Sequence, residues 1–463
     1  MYTKPKGTKD IYGSEAKKWI YVSSLLDRVM ERYGYSYIRT PIFETTELFH
    51  RSVGDTTDLV TKETYDFKDR GDRDITLRPE GTAGVVRSYI EEKMYGDVNQ
   101  PIKLYYNGTM YRYERPQAGR YRELTQFGFE ILGSDDPMTD AEMISIPYNF
   151  LKILKLKGIK VQINTLGDKE SRDNYRKALV DYFKPHIDEF CPDCKNRLEK
   201  NPLRILDCKV DNENPIMKNA PKTLDYLNEA SRIRYEKVKE YLDILVVEYE
   251  ECPNLVRGLD YYDHIVFEIE AIVTGKKMAI GGGGRYNGLV ELLGGPATSA
   301  VGYAAGMDRV MLAIEEEGIK LEINDSLDAF VMFVNEEEKK TAIYLTQVLR
   351  MNGFRTETDY NERSLKAQFK AADRLGAKFL IILNGDDLTN GLITVKNNST
   401  KEEEKVTMEE LMYFLDEHLN EDDCDCDDDC NCESSHGCDC MNGEECSCGE
   451  DHECHCDHNH EKE

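Results

Sequence analysis

The chain of 463 residues is long enough for two or three domains with cores of their own, and its hydrophobic share of 40% is typical of a globular protein. No stretch reaches the roughly 18 consecutive apolar residues that a membrane span requires, and the opening MYTKPKGTKD lacks the apolar segment of a secretory signal, so we expect a cytoplasmic protein without a membrane partner. The formal net charge of −28 argues against indiscriminate binding to polyanions, although a local basic patch can still meet a nucleic acid.

The first predicted element is an amphipathic helix that Ser14 can cap and that Gly34 ends. Its apolar residues, from Trp19 to Met30, recur at roughly 3.6-residue spacing. Residues 35–44, YSYIRTPIFE, then indicate a strand that runs into a proline-bounded turn.

An arginine-rich stretch, YRYERPQAGRYRELTQ (111–126), lies between two strand-like runs at 102–112 and 124–133. This arrangement predicts that residues 113–123 form a long loop between antiparallel strands. Planar guanidinium groups suit bidentate binding of phosphate or carboxylate. The alternative is a solvated, charge-laced surface hairpin, and the segment alone does not decide between them.

Residues 168–250 have helical periodicity and are interrupted by a link rich in Cys and Pro, which indicates a helical insertion. Strands are expected again at 264–273 and 299–306, followed by a helix at 307–317. After a polar break at 324–326, alternating strands and helices predict an α/β domain of roughly a hundred residues.

The last 43 residues have almost no apolar side chains and cannot bury a core, so we expect them to be disordered. They carry 17 acidic residues and one lysine, a net charge of −16, which leaves −12 for the other 420 residues.

Several charged residues adjoin apolar runs, where a charge must be paired or must face a ligand. They are Arg78, Glu80, Arg112, Glu130, Arg257 and Asp260. Structural ion pairs are one interpretation. A pocket for a zwitterionic, phosphate-bearing ligand is the other, and the nearby glycine-rich turns favour it.

The glycine-rich segment AIGGGGRYNGLV (279–290) contains neither GxGxxG nor a P-loop pattern. Four successive glycines indicate either a bulge or a strand whose backbone a substrate approaches closely. None of the nine histidines sits beside a plausible Ser or Cys nucleophile. This absence favours phosphoryl or nucleotidyl transfer, in which positioning and electrostatics act and the substrate supplies the nucleophile.

Five segments carry the most distinctive patterns: TLRPEGTAGVVR (76–87), MYRYERPQAGRYRE (110–123), LVRGLDYYDHIVFE (255–268), GGGGRYNGLV (281–290) and VGYAAGMDRVMLAIE (301–315). In this order they resemble the signature segments of the histidyl-tRNA synthetase family, which belongs to the class II aminoacyl-tRNA synthetases. KPKGTKDIYG (4–13) and TPIFE (40–44) also resemble that family's opening and its first dimer motif. The resemblance covers about residues 1–420.

The resemblance implies an α+β fold with three parts. A class II catalytic core built on an antiparallel sheet would span 1–325, with a helical insertion at about 168–250. An α/β anticodon-binding domain would span 326–420, and a disordered acidic Cys/His-rich tail would span 421–463. The resemblance also implies a homodimer.

The implied reaction has two steps: histidine attacks the α-phosphate of ATP to give histidyl-adenylate, and histidine then passes to the 3′ end of tRNA(His). Mg²⁺ would accompany ATP. Arg257 and Arg112 would be catalytic, with Arg257 stabilising charge on the α-phosphate. The implied histidine-binding set is Glu80, Gly81, Thr82, Arg112, Gln126, Glu130, Arg257, Tyr261 and Tyr262.

The resemblance also assigns residues to the other two substrates. For ATP these are Arg112, Glu114, Arg120 and Arg309, and for the acceptor end of tRNA they are Arg115 and Gln117. Arg363, Lys366 and Lys370 are candidates for tRNA backbone contacts in the anticodon-binding domain. The sequence departs from the family at Leu124, where an adenine-stacking aromatic is usual, at Asn287, and at Asp263 with His264.

Thiols raise two further questions, and reduced cysteines are expected in a cytoplasmic protein. Cys191, Cys194 and Cys208 have part of the spacing of a zinc site, but no fourth ligand is evident, and thiols packed inside the insertion are the alternative. The tail carries five CxC pairs with histidines between them, a composition that suits a soft metal such as Zn or Cu(I). The predicted tail ligands are Cys424, Cys426, Cys430, Cys432, Cys438, Cys440, Cys446, Cys448, Cys454 and Cys456.

Two other functions remain open at this point. One is the regulatory paralogue of ATP phosphoribosyltransferase, which shares the catalytic fold but generally lacks the anticodon-binding domain and the RGLDYY signature. The other is a metal-storage or metal-sensing protein, which the tail alone favours and an intact ATP pocket does not.

Overall fold

The computed structural model describes residues 2–54, 57–208, 210–257, 261–273 and 275–420. Two compact units divide between Ile323 and Asn324. The tail with its ten predicted metal ligands, and Asp260, lie outside the described residues. Within the described part of the chain, no helix is long and apolar enough to cross a membrane.

The strands of the first unit, in chain order, are β1 (Ser36–Tyr37), β2 (Phe43–Thr45), β3 (Tyr65–Lys68), β4 (Asp74–Leu77), β5 (Ile102–Tyr111), β6 (Glu123–Leu132), β7 (Lys160–Thr165), β8 (Tyr249–Glu251), β9 (Asp263–Val273), β10 (Lys276–Arg285) and β11 (Ala300–Gly306). Eight of them form one sheet in the order β1-β5-β6-β11-β10-β9-β7-β8. The pairs at its two edges, β1 with β5 and β7 with β8, are parallel, and the inner pairs are antiparallel. A small sheet has the order β2-β4-β3.

The α-helices of this unit are α1 (Gly13–Arg32), α2 (Thr46–Val53), α3 (Asp58–Lys62), α4 (Thr82–Glu91), α5 (Pro137–Ile153), α6 (Lys169–Phe183), α7 (Pro192–Lys200), α8 (Pro215–Lys218), α9 (Glu229–Ile244), α10 (Leu289–Leu292) and α11 (Met307–Glu316). Short 3₁₀ turns lie at Met94–Gly96, Lys184–Glu189, Pro202–Ile205 and Thr223–Tyr226.

Helix α1 confirms the predicted amphipathic helix, because Trp19 and Met30 on its apolar face are buried. The predicted cap is wrong: the helix begins at Gly13, Tyr12 occupies the N-cap, and that cap makes no side-chain hydrogen bond. Ser14 therefore lies inside the first turn. The predicted end is confirmed by Gly34, whose φ of +74° suits a residue without a Cβ.

The arginine-rich loop connects two ten-residue neighbours in the large sheet, β5 and β6. Strands β5 and β6 pair without a shift from Ile102 opposite Leu132 to Tyr111 opposite Glu123. The loop between them therefore spans residues 112–122, which confirms the predicted loop between antiparallel strands but begins and ends one residue earlier than the predicted 113–123. Within the loop, Gln117 and Arg120 exchange backbone hydrogen bonds of 3.1 and 2.9 Å, which fold it into a tight turn.

Both faces of the large sheet are buried. One face packs against α1, α5, α9 and α11 in the main core, and the other packs against α4 and α10. The alternation along β5 shows this directly, since Tyr105 joins the first cluster while Leu104 and Tyr106 join the second. The functional cavity described below opens on the second face.

The stretch between β7 and β8 is helical, in agreement with its periodicity. Its first part has a small core of its own, which includes Tyr175, Phe183 and Cys194. Helix α9 packs instead into the main core through Tyr235 and Leu242.

The second unit contains strands β12 (Ala329–Met332), β13 (Thr356–Thr358), β14 (Phe379–Ile382), β15 (Leu392–Asn397) and β16 (Glu403–Thr407). Its α-helices are α12 (Glu336–Met351), α13 (Leu365–Arg374), α14 (Gly385–Thr389) and α15 (Glu410–Asn420). The sheet order is β13-β12-β14-β15-β16, with parallel pairs on both sides of β12 and antiparallel pairs beyond β14. Apolar clusters cover both faces, so the predicted α/β domain is confirmed.

Candidate active site

A cavity of about 350 Å³ opens on the α4 side of the large sheet, a size typical of small-molecule sites. Eleven of the predicted site residues line it: Glu80, Thr82, Arg112, Glu114, Arg120, Gln126, Glu130, Arg257, Tyr261, Tyr262 and Arg309. The other three lie nearby or on the surface. Gly81 donates its N–H to Gln126 at the wall (3.0 Å), whereas Arg115 and Gln117 are exposed on the loop.

Glu130 is the most deeply buried acid of the cavity wall. Its two carboxylate oxygens accept hydrogen bonds from the Thr82 hydroxyl (2.7 Å) and the Tyr286 hydroxyl (2.6 Å). Burial raises the pKa of Glu130 from 4.5 to about 8. A Cβ on Gly302 of the neighbouring strand β11 would lie 1.6 Å from one of these oxygens, so this position requires glycine.

Glu80 closes the same end of the cavity and also caps helix α4. Its carboxylate accepts hydrogen bonds from the N–H groups of Thr82 (2.7 Å) and Ala83 (2.9 Å). Burial raises the pKa of Glu80, while these two N–H donors stabilise the ionised form. The carboxylate is thus fixed in place before any ligand arrives.

Aromatic rings complete this acidic end. Tyr261 and Tyr262 have ring centroids 4.7 Å apart, and Tyr261 meets Tyr286 edge to face at 5.5 Å. Phenol and carboxylate groups around an enclosed space suit a small cationic or N–H-rich ligand.

The opposite end of the cavity is cationic. Arg309 donates to the carbonyl of Ala279 (2.5 Å), and Arg112 donates to the carbonyl of Pro79 (2.8 Å). Arg120 lies 3.7 Å from Glu114. Burial lowers the pKa of Arg309, and the neighbouring guanidinium of Arg120 lowers it further. Three guanidinium groups on the wall of one cavity favour binding of a polyanion such as a phosphate chain.

Arg257 lies between these two ends and forms an ion pair with Glu268 of β9. Its guanidinium rests on β10, where a Cβ on Gly282 would lie 2.5 Å from the Arg257 Cζ. The glycine run thus lies in a strand whose backbone is closely approached by another group, as the sequence indicated. At Gly282 that group is the guanidinium of Arg257.

Two arginines near the predicted motifs have structural roles. Arg78 donates to the carbonyls of Thr109 and Thr40, both at 2.9 Å, and does not line the cavity. Arg285 is fully buried and pairs with the buried Asp140, with a nitrogen–oxygen distance of 2.6 Å. Arg78, one of the six charged residues considered from the sequence, thus bonds to backbone carbonyls, whereas Arg285, which was not among the six, forms a buried ion pair.

The residues that depart from the family pattern lie in different places relative to the cavity. Leu124 lines the cavity, and the adjacent wall includes Tyr121. Asn287 accepts a hydrogen bond from the N–H of Ala300 (3.1 Å) and supports the strand rather than the cavity. Asp263 and His264 are not part of the wall.

Sequence reasoning missed several lining residues, which are Arg204, Glu268, Tyr286 and Asp308. Glu268 and Tyr286 lie in two of the five distinctive segments, 255–268 and 281–290. Side chains of a strand alternate between its two faces, so counting every second residue from the predicted wall residues could have identified them. Arg204 comes from a 3₁₀ turn of the insertion, and local sequence carries no signal for its position.

Comparison with known proteins agrees with this geometry. A family model described as histidyl-tRNA synthetase matches residues 7–310, and an anticodon binding domain model matches residues 328–418. The histidine–tRNA ligase of Anoxybacillus flavithermus is 53% identical over 406 residues, which are 87% of this chain and 96% of that protein. That of Staphylococcus aureus strain JH9 is 51% identical over 414 residues, or 89% and 99% of the two chains.

The crystal structure of apo S. aureus histidyl-tRNA synthetase has a TM-score of 0.79 and 46% identity, and the match covers 90% of this chain and 100% of that one. A class II aminoacyl-tRNA synthetase with an anticodon-binding domain is therefore the class of enzyme that the fold and the cavity define. The chain belongs to the histidyl-tRNA synthetase family. The anticodon-binding match also argues against the regulatory paralogue.

Proposed function

We propose that the cavity joins histidine to AMP and that the chain then charges tRNA(His). In the first step a carboxylate oxygen of histidine bonds to the α-phosphorus of ATP, and the bond to the leaving pyrophosphate breaks. In the second step a hydroxyl of the terminal adenosine attacks the carbonyl carbon, and AMP leaves. Neither step needs a nucleophile from the protein, which fits a wall made of charges, amides and phenols.

The observation that carries this proposal is the order of groups along β10. Arg309 holds the carbonyl of Ala279, and Arg257 rests over Gly282. Gly284 pairs with Gly302 of β11, and the Glu130 carboxylate lies directly against Gly302. At about 3.3 Å per residue, Arg257 lies roughly 10 Å along the strand from the cationic end and about 7 Å from the acidic end.

This order assigns each substrate to one end of the cavity. The ammonium and imidazole of histidine fit the end that contains Glu80, Glu130 and Tyr261, and the phosphates fit the end with Arg112 and Arg309. The reacting carboxylate and α-phosphate then meet beside Arg257. A preorganised guanidinium at that point stabilises negative charge as it develops, without reorganisation.

Mg²⁺ fits the cavity, because it prefers oxygen ligands and usually takes one or two carboxylates together with substrate phosphates. Glu114 and Glu268 supply carboxylates in the wall. The ion would neutralise part of the phosphate charge.

We assign the acceptor end of tRNA to the exposed loop residues Arg115 and Gln117. In the second unit, Lys366 and Lys370 are exposed four residues apart on α13, so they share one face and suit contacts with phosphates. Arg363 is tied to Asp359 and contributes less.

We also propose a homodimer that acts in the cytoplasm, where tRNA is charged for translation. Tyr37, Ile42 and Phe43 expose 54%, 42% and 58% of their surface, and the last two lie in TPIFE (40–44), which resembles the family's first dimer motif. Such neighbouring apolar side chains indicate a protein contact. Sedimentation of the native chain beside Phe43→Arg tests this, since a monomeric native chain contradicts it.

ATP–pyrophosphate exchange tests the proposed function directly. Exchange that depends on histidine, and that no other amino acid supports, is the expected result, followed by charging of tRNA(His). Histidine binding without exchange contradicts the proposal and restores the regulatory paralogue.

A further inference from the structure

Three thiols and one carboxylate meet in the helical insertion, outside the active cavity. The ligand atoms of Cys191, Cys194, Cys208 and Asp211 all lie within 4.8 Å of one another. Cys194, Cys208 and Asp211 are buried, and Cys191 is partly exposed. The sequence pattern showed only the three cysteines, and the fold adds Asp211 as the fourth member.

Two edges of this cluster have the dimensions of a zinc tetrahedron. With Zn–S bonds of about 2.3 Å, two sulfurs of a tetrahedral site lie about 3.8 Å apart, and a sulfur and a carboxylate oxygen about 3.5 Å apart. The Cys191 and Cys208 sulfurs are 3.7 Å apart, and the Cys208 sulfur lies 3.4 Å from Asp211 Oδ2.

The cluster is also held by backbone contacts that orient its members. The N–H of Cys191 donates to both carboxylate oxygens of Asp211, at 3.3 and 3.1 Å. Cys191 is the N-cap of α7, so Cys194 lies in the first turn of that helix. Hydrogen bonds that fix a carboxylate ligand are a usual feature of protein metal sites.

Two simpler explanations, a disulfide and the packing of reduced thiols, account for only part of the geometry of this cluster. A disulfide between Cys191 and Cys208 needs a sulfur separation of about 2.05 Å, well below the observed 3.7 Å. Packing of thiols in an apolar core explains the buried sulfurs. Hydrogen bonds from the Cys191 N–H and the Cys208 thiol also stabilise the Asp211 carboxylate, but packing and hydrogen bonding do not require four ligand atoms to converge within 4.8 Å of one another.

We propose that Cys191, Cys194, Cys208 and Asp211 bind one Zn²⁺ as a structural site. Four protein ligands leave no open position for water or substrate, which distinguishes such a site from a catalytic one. The ion joins the start of α7 to the segment after Cys208. The 3₁₀ turn Pro202–Ile205, which places Arg204 on the wall of the active cavity, lies between Cys194 and Cys208 in the chain. The ion therefore also fixes the segments that flank this turn.

The test must separate this site from the cysteine-rich tail. The parent protein is therefore the full chain with its ten tail cysteines changed to Ser, which retains Cys191, Cys194, Cys208 and Cys252. After dialysis against a weak chelator, metal analysis should find one zinc per chain. Cys208→Ser should lose it, whereas the matched control Cys252→Ser, which changes the cysteine outside the cluster, should keep it.

Asp211→Asn provides a second variant in case Cys208→Ser does not fold. It preserves every thiol and nearly the same side-chain volume. It should weaken zinc binding at least tenfold in a competition assay with a chromogenic chelator. Co²⁺ in the parent should show the visible absorption of a tetrahedral thiolate site. Absence of bound metal after zinc loading overturns the proposal, as does zinc retained in Cys208→Ser or a Cys191–Cys208 disulfide in freshly isolated protein.

Discussion

The guanidinium of Arg257 occupies the space that a side chain on Gly282 would need. A Cβ at that position would lie 2.5 Å from Cζ and 2.6 and 2.7 Å from the two terminal nitrogens of Arg257. Gly282→Ala therefore displaces the guanidinium from the point where the α-phosphate is proposed to react. We expect a fall in histidine-dependent exchange of on the order of 10²–10³, similar to loss of one oxyanion donor.

Gly288→Ala is the matched control for this substitution. A Cβ there meets nothing within 4 Å, so its exchange rate should stay within about twofold of the native rate. Circular dichroism should show both variants folded. Native activity in Gly282→Ala would show that the position of Arg257 is not important for the reaction.

Glu130 should make stability depend on pH. Its folded pKa of about 8 lies above the ordinary value of 4.5, so its contribution to stability is fully present below about pH 4.5 and is lost as the pH rises through about 8. Between pH 5 and 9, the free energy of unfolding of the native protein should fall by a few kcal/mol more than that of Glu130→Gln. This difference corresponds to the shift of the Glu130 pKa from 4.5 to about 8. Urea denaturation without ligands, at a series of pH values, measures this.

Glu291→Gln, which changes an exposed glutamate of α10, is the control for that series. It removes a carboxylate outside the cavity, so any effect that it shares with Glu130→Gln is due to the exchange of Glu for Gln and not to the cavity. Parallel pH profiles for the native protein and Glu130→Gln would contradict a protonated Glu130 in the ligand-free cavity.

Leu124 should limit the affinity for ATP. It lines the cavity where the family usually places an aromatic ring, and an aromatic stack contributes about 0.5–1.5 kcal/mol beyond burial of area. Leu124→Phe should lower the KM for ATP by roughly two- to tenfold, while the KM for histidine stays the same. An unchanged or higher KM for ATP would show that adenine does not contact this position.

The tail should be dispensable for charging tRNA. Because nothing in the proposed reaction uses residues 421–463, a chain that ends at Asn420 should keep its kcat/KM for ATP, histidine and tRNA within about threefold of the full chain. Metal binding by the five tail CxC pairs should be lost in the same deletion. A large loss of aminoacylation would assign the tail a role in the reaction.

The residues that line the cavity were predicted through the resemblance to the family. Local patterns predicted helix α1, the paired strands β5 and β6 and the α/β order of the second unit, because hydrophobic periodicity is set by neighbouring residues. They could not separate Arg78 and Arg285 from the cavity arginines, since all adjoin apolar strands. Only the fold shows that Arg78 meets backbone carbonyls and that Arg285 meets Asp140, which lies 145 residues away in the chain.

Arg204 and Asp211 were missed for a related reason. Both depend on how the insertion folds back, and that depends on packing among Tyr175, Phe183 and Cys194 rather than on a local motif. The predicted N-cap at Ser14 was wrong by two residues, because the helix begins at Gly13 and Tyr12 occupies the N-cap.

Histidine-dependent ATP–pyrophosphate exchange in Arg257→Ala tests the central claim most directly. The control is Arg51→Ala, which removes an exposed guanidinium paired with Glu47. We predict histidine-specific exchange in the native protein and the control, and a loss on the order of 10²–10³ in Arg257→Ala. Equal exchange in all three proteins would contradict a reaction centred on Arg257.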